Sequence, residues 1–160
     1  MKNVVVFGGS GFLGSHVCDK LIDSGYNVTV FDKNETEFIK DKHNVVIGDI
    51  LYEEEVEKVV KNANIVFNFA GLADIDVAKT NPIATVRYNI LGNTIILEAC
   101  RKAGVDRFVY ASSVYVYSSS GGFYRCSKQA CEQYIENYQT MYNLDYTIIR
   151  YGSLYGPRSD

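Results

Sequence analysis

Residues 8–14 read Gly-Gly-Ser-Gly-Phe-Leu-Gly and follow directly on the apolar run Asn3–Phe7. No other short stretch of the chain constrains the fold so tightly. A continuous β-branched and aromatic run suits a strand covered on both faces. The segment from Phe12 to Ser24 reads as a helix stopped by Gly25. Strand, glycine turn and helix in that order open a βαβ unit. Within it Gly8 permits the tight turn, Gly11 lets backbone approach a pyrophosphate, and Gly14 lets helix pack on strand. The helix start offers unpaired N–H groups and a positive dipole end to phosphate.

The alternation continues along the chain. Strands are expected at Asn27–Asp32, Asn44–Ile47, Asn64–Asn68, Arg107–Ala111 and Tyr146–Arg150, with helices near 52–60, 81–103 and 123–142. Pro82 suits the first turn of the long helix, where its missing N–H has no partner to lose. Ile83, Val86, Ile90, Thr94 and Leu97 recur at spacings of three and four, which predicts one buried face. The pattern implies an α/β fold: a doubly wound parallel sheet of about six strands with helices on both faces, residues 1–160 forming one dinucleotide-binding domain.

Composition excludes several classes. A net charge of −3 gives no basic face for nucleic acid. No apolar run approaches the ~20 residues that span a bilayer, and the N-terminus lacks a small-residue cleavage site. Cys18, Cys100, Cys126 and Cys131 match neither a zinc pattern nor a disulfide framework, so reduced thiols in a cytoplasmic protein are expected. His16 and His43 stand apart without a cluster of ligating residues, and no metal is expected.

Asp32 ends the second expected strand, 18 residues after Gly14. A carboxylate there takes ribose hydroxyls and repels a 2′-phosphate, which favours NAD over NADP; Lys33 next door works the other way. Tyr124-Arg125-Cys126-Ser127-Lys128 places a tyrosine and a lysine on one helix face. An ammonium about 5 Å from a phenol favours phenolate by roughly 3 kcal/mol at an effective dielectric near 20. Tyr124 then becomes a proton-exchanging group near neutral pH. A hydroxyl residue at the end of the fifth expected strand, Ser112 or Ser113, is the candidate to hydrogen-bond a reacting oxygen.

The glycine turn with Phe12 between its last two glycines resembles that of the extended short-chain dehydrogenases/reductases, the NAD-dependent epimerase/dehydratase family. Further segments are similar in the same order: Gly48-Asp49-Ile50, Asn68-Phe69-Ala70-Gly71, Asn89-x-x-Gly92, Ser112-Ser113-x-x-Val116-Tyr117, and Arg150-Tyr151 with Gly156-Pro157-Arg158. Taken singly, Asp49 also suits a helix start and Asn89 a helix surface. The resemblance implies a Rossmann fold and bound NAD held by Gly8, Gly11, Phe12, Leu13, Gly14, Asp32, Asp49, Ile50, Ala70, Gly71, Asn89, Tyr124, Lys128 and Tyr151. It implies Ser113, Tyr124 and Lys128 as catalytic residues and a nucleotide-sugar as substrate. In the epimerase form of the chemistry NAD takes a hydride from the sugar, the ketone turns over, and the hydride returns to the other face.

Val114 and Tyr115 occupy the positions where related dehydratases carry an acidic pair and related decarboxylases a glutamate. Neither residue can act as a carboxylate, so a 4-epimerase or keto-reductase is expected, with a non-catalytic dinucleotide sensor as a further alternative. The connection between Tyr117 and Tyr124 is short, and Ser153 stands where the family has asparagine. Family members continue into a substrate lobe that this sequence does not contain, so NAD binding with little or no turnover is expected of residues 1–160. The resemblance also implies a homodimer paired through the helices at 81–103 and 123–142; the stripe of Cys131, Tyr134, Ile135 and Tyr138 is equally suited to the core.

Overall fold

The computed structural model describes residues 1–35, 37–38 and 44–159. Its strands are β1 (Asn3–Phe7), β2 (Asn27–Asp32), β3 (Asn44–Ile47), β4 (Ile65–Asn68), β5 (Arg107–Ser113) and β6 (Tyr146–Tyr151). They form one parallel sheet in the order β3-β2-β1-β4-β5-β6. The helices are α1 (Phe12–Asp23), α2 (Glu53–Val60), α3 (Ile75–Thr80), α4 (Pro82–Thr85), α5 (Gly92–Ala103) and α6 (Gly122–Tyr142). The fold is the doubly wound α/β arrangement expected. From β1 the chain winds outward to β3, then returns to place β4 on the other side of β1. The direction of winding therefore reverses between β1 and β4, and ligands bind at the carboxyl ends of the strands at such a point.

Alternation along β1 feeds two cores. Val5 and Phe7 join Val56 and Val60 of α2, Ile96, Leu97 and Cys100 of α5, and Cys131 and Ile135 of α6. Val4 and Val6 face the other way, onto Cys18, Leu21 and Ile22 of α1. Phe7, Phe31 and Phe108 are completely buried, and each such side chain contributes about 1.5–3 kcal/mol relative to exposure.

The long helix departs from expectation. The rod from Pro82 to Ala103 has a π-helical middle, Val86–Leu91, between α4 and α5. A wider turn shifts the phase of every side chain that precedes it. Ile83 and Val86 are accordingly 76% and 53% exposed instead of buried, while Asn89 turns inward at 4%. Tyr134 of α6 is likewise exposed, whereas Cys131 and Ile135 are core. α3 was not expected: six residues are too few for a periodic signal, although Asp74 caps it by accepting from the Asp76 and Val77 amides. β5 runs two residues beyond Ala111 and so includes Ser112 and Ser113.

No helix among the described residues is long and apolar enough to cross a membrane. Cys18, Cys100 and Cys131 are buried free thiols and Cys126 an exposed one. Among the described residues no three His, Cys, Asp or Glu side chains gather as metal ligands; His43 lies outside them.

Candidate active site

The glycine turn sits at the carboxyl end of β1. Gly8 has φ +74°, and its amide donates to the Phe31 carbonyl at 2.9 Å. A Cβ at Gly8 would lie 2.6 Å from the Ala70 amide nitrogen, and one at Gly14 would strike the Gly8 carbonyl oxygen. Both positions are closed to any other residue. Gly11 differs: its backbone is ordinary (φ −78°), and a Cβ there would meet nothing nearer than 3.5 Å. Gly11 starts α1 without a side-chain cap, and the helix has no acidic residue in its first turn. Its first N–H groups are thus left for an anion.

A cavity of about 600 Å³ opens from this turn. Gly8, Gly11, Phe12, Leu13, Gly14, Asp32, Ile50, Ala70, Gly71, Tyr124, Lys128 and Tyr151 line it. The cavity runs from the tip of β2 to the start of α6. At one end Asp32 Oδ2 accepts from the Ser10 amide at 3.0 Å, and Oδ1 accepts from the Asn34 amide at 3.2 Å. Ile50 packs against Gly92, where a Cβ would fall 2.5 Å from its Cδ1, so the glycine in the long rod serves close packing.

At the other end Tyr124 and Lys128 project from one face of α6. Lys128 Nζ donates to the Ala111 carbonyl at 2.7 Å and lies 5.6 Å from the Tyr124 ring centroid. Ser113 Oγ accepts from the Tyr115 amide at 3.2 Å. Ser112, the alternative, does line the cavity, but its hydroxyl is engaged, donating to buried Glu132 at 2.6 Å. Burial lowers the Lys128 ammonium to about 8. Burial raises the Tyr124 phenol, Ser113 partly offsets this, and Tyr115 adds to it. The lysine–phenolate stabilisation expected from spacing is not what governs Tyr124 here. Desolvation prevails, because Lys128 directs its ammonium at a backbone carbonyl.

Asp49, Asn89 and Ser113 are not on the cavity wall. Both amide N–H groups of Asn89 are used behind it, on the Leu72 carbonyl (3.1 Å) and Ser127 Oγ (2.9 Å), while Oδ1 accepts from the Leu72 amide at 2.6 Å. The π turn delivers this side chain, which ties the loop after β4 to α6. Asp49 is 3.1 Å from Lys33 Nζ.

Residues 4–160 match the NAD dependent epimerase/dehydratase family. The chain belongs to that family. Its fold superposes on the UDP-glucose 4-epimerase of Thermotoga maritima, solved with UDP-glucose, with a TM-score of 0.94 at 31% identity, over 99% of this chain and 58% of that one. The UDP-glucose 4-epimerase of Thermus thermophilus, solved with NAD, gives 0.92 at 31% identity over 99% and 57%. The mouse sterol-4-alpha-carboxylate 3-dehydrogenase, decarboxylating, is 33% identical over 72% of this chain and 31% of its own length. The chain therefore spans less than three fifths of these relatives.

One buried group behind β5 was not legible in the sequence. Glu132 lies under β5, where Arg150 Nε and Nη2 donate to its two oxygens at 3.0 and 2.8 Å. Arg150 also donates to the Tyr117 hydroxyl. Burial works to raise the Glu132 carboxyl, but Arg150 and then Ser112 outweigh it and hold it below the usual range. A glutamate four residues after Lys128 on the core-facing side of a helix was the available signal.

Proposed function

We propose that this chain is the cofactor-holding and catalytic part of a nucleotide-sugar 4-epimerase. The observation that carries the reading is the single cavity whose wall includes both the glycine turn and the Tyr124–Lys128 pair. The residues fit NAD. The turn carries glycine at 8, 9, 11 and 14 and is backed by uncapped helix N–H groups, which suits the pyrophosphate. Asp32 suits the adenosine ribose diol, Ile50 the adenine end, Ala70 and Gly71 the floor, and Lys128 and Tyr151 the nicotinamide end. When bound, NAD supplies reversible two-electron oxidation at the sugar carbon.

The protein's own work is on the proton. Tyr124 Oη exchanges a proton with the substrate hydroxyl, and Ser113, at the end of β5, steadies the reacting oxygen. Lys128 Nζ lies 5.6 Å from the Tyr124 ring centroid, so its charge works against the burial that raises the phenol without outweighing it. Val114–Tyr117 forms a 3₁₀ turn directly after Ser113 and carries no carboxylate, which argues against dehydration. Similarity to the sterol dehydrogenase favours one second reading, an oxidoreductase of the same site with exchanging rather than retained cofactor.

The test is NMR of UDP-galactose and UDP-glucose incubated with the full-length gene product. Interconversion of the C4 configuration, abolished by Tyr124→Phe, is expected. Absence of interconversion for every UDP-sugar tried, in protein that binds NAD, would overturn the epimerase reading.

A further inference from the structure

Lys33 follows directly on Asp32 at the tip of β2. A lysine there is a ready cation for a phosphate on the ribose 2′ position. Its ammonium is engaged elsewhere. Lys33 Nζ lies 3.1 Å from Asp49 Oδ2, donates to the Tyr88 hydroxyl at 2.9 Å, and sits 4.4 Å from the Tyr88 ring centroid. The partners come from two separate places, Asp49 just after β3 and Tyr88 in the π turn. Lys33 and Tyr88 both line the cavity, beside Asp32. Asp49 is fixed in its turn: its Oδ1 accepts from the Leu51 amide at 3.0 Å, and its own amide donates to Glu55 Oε2 at 3.0 Å. Tyr88 and then Asp49 hold the Lys33 ammonium above the ordinary lysine range, so it is charged and already compensated.

With Lys33 paired to Asp49, the charge left facing a ribose is that of Asp32. That suits a 2′-hydroxyl and repels a 2′-phosphate. We infer that Tyr88 and Asp49 set the dinucleotide preference by clasping Lys33 away from the ribose 2′ position. The inference rests on the cavity holding a dinucleotide, as proposed above. It makes Tyr88 and Asp49 specificity-determining residues, although Asp32 alone has the sequence position for that role.

Fluorescence titration with NADH and NADPH tests it, read as the ratio of the two Kd values so that any shared loss at the adenine end cancels. In Tyr88→Phe/Asp49→Asn the freed ammonium is expected to move the ratio toward NADPH by about tenfold. Tyr88→Phe alone is expected to move it part of the way. Adding Lys33→Ala to the double variant is expected to abolish the gain. A gain that persists without Lys33 would overturn the inference, since loss of the Asp49 charge would then account for it. An unchanged ratio in the double variant and in Tyr88→Phe would also overturn it. Wild-type chain that binds neither dinucleotide would instead remove the reading of the cavity itself.

Discussion

Gly8 and Gly11 belong to one turn but are glycine for different reasons. Gly8 combines φ +74° with a Cβ position 2.6 Å from the Ala70 nitrogen, whereas Gly11 has ordinary backbone and open space. Gly8→Ala is expected to cost about 1–3 kcal/mol in urea unfolding, from backbone strain alone. Gly11→Ala is expected to stay within about 0.5 kcal/mol of wild type and still to weaken NADH binding by at least about tenfold. Equal stability losses in the two variants would contradict this division. Lys128 offers a second measurement. Its folded value of about 8 lies below the ordinary 10.5. Between those pH values the unfolded chain binds the extra proton, so stability rises with pH across the window and is lost as pH falls through it. The stability of wild type relative to Lys128→Met is expected to grow from about pH 8 to pH 10.5, and a difference independent of pH would refute the burial effect. The Tyr124–Lys128 pair was legible because spacing on a helix is local. The ammonium's choice of the Ala111 carbonyl was not, because it depends on a strand met only in three dimensions.

At the scale of elements the π turn is the feature that periodicity missed. Spacings of three and four assume one pitch throughout, and a single wide turn resets the phase, so Ile83 and Val86 leave the buried face that the spacing predicts. The six strands were legible because each is a short β-branched and aromatic run, although only β1, β2, β4 and β5 carry buried residues and β3 is exposed throughout. α3 was not, since six residues carry no period. The wide turn has a consequence for the site. Asn89 holds Leu72 by both its amide and its carbonyl, and reaches Ser127 on α6. Asn89→Leu keeps the branched outline, adds some volume and strands these buried partners. It is expected to lose at least about 2 kcal/mol in chemical denaturation. Exchange of the Leu72 amide hydrogen is expected to accelerate beyond what the global loss explains. Equal acceleration across the whole sheet would mean that Asn89 supports the fold in general and not this loop.

In the whole molecule the sheet changes its winding between β1 and β4, and the cavity lies across that seam. The β1–β2 half brings the glycine turn and Asp32, and the β4–β6 half with α6 brings Ala70, Gly71, Tyr124, Lys128 and Tyr151. A ligand that occupies the full length of the cavity touches both halves, so it is linked to unfolding of the entire domain and not to local opening of one loop. NAD at a hundred times its Kd then stabilises the folded chain by about 2.7 kcal/mol. For a domain of this size each kcal/mol raises Tm by about 2–4 °C, so a rise of roughly 5–11 °C is expected in calorimetry. Asp32→Ala, which removes the contact at one end alone, is expected to reduce the rise at the same NAD concentration. A rise that Asp32→Ala leaves intact but Tyr124→Phe/Lys128→Ala abolishes would mean that the ligand is held from the α6 side only, and the two halves would have to be treated as separate contributors to binding.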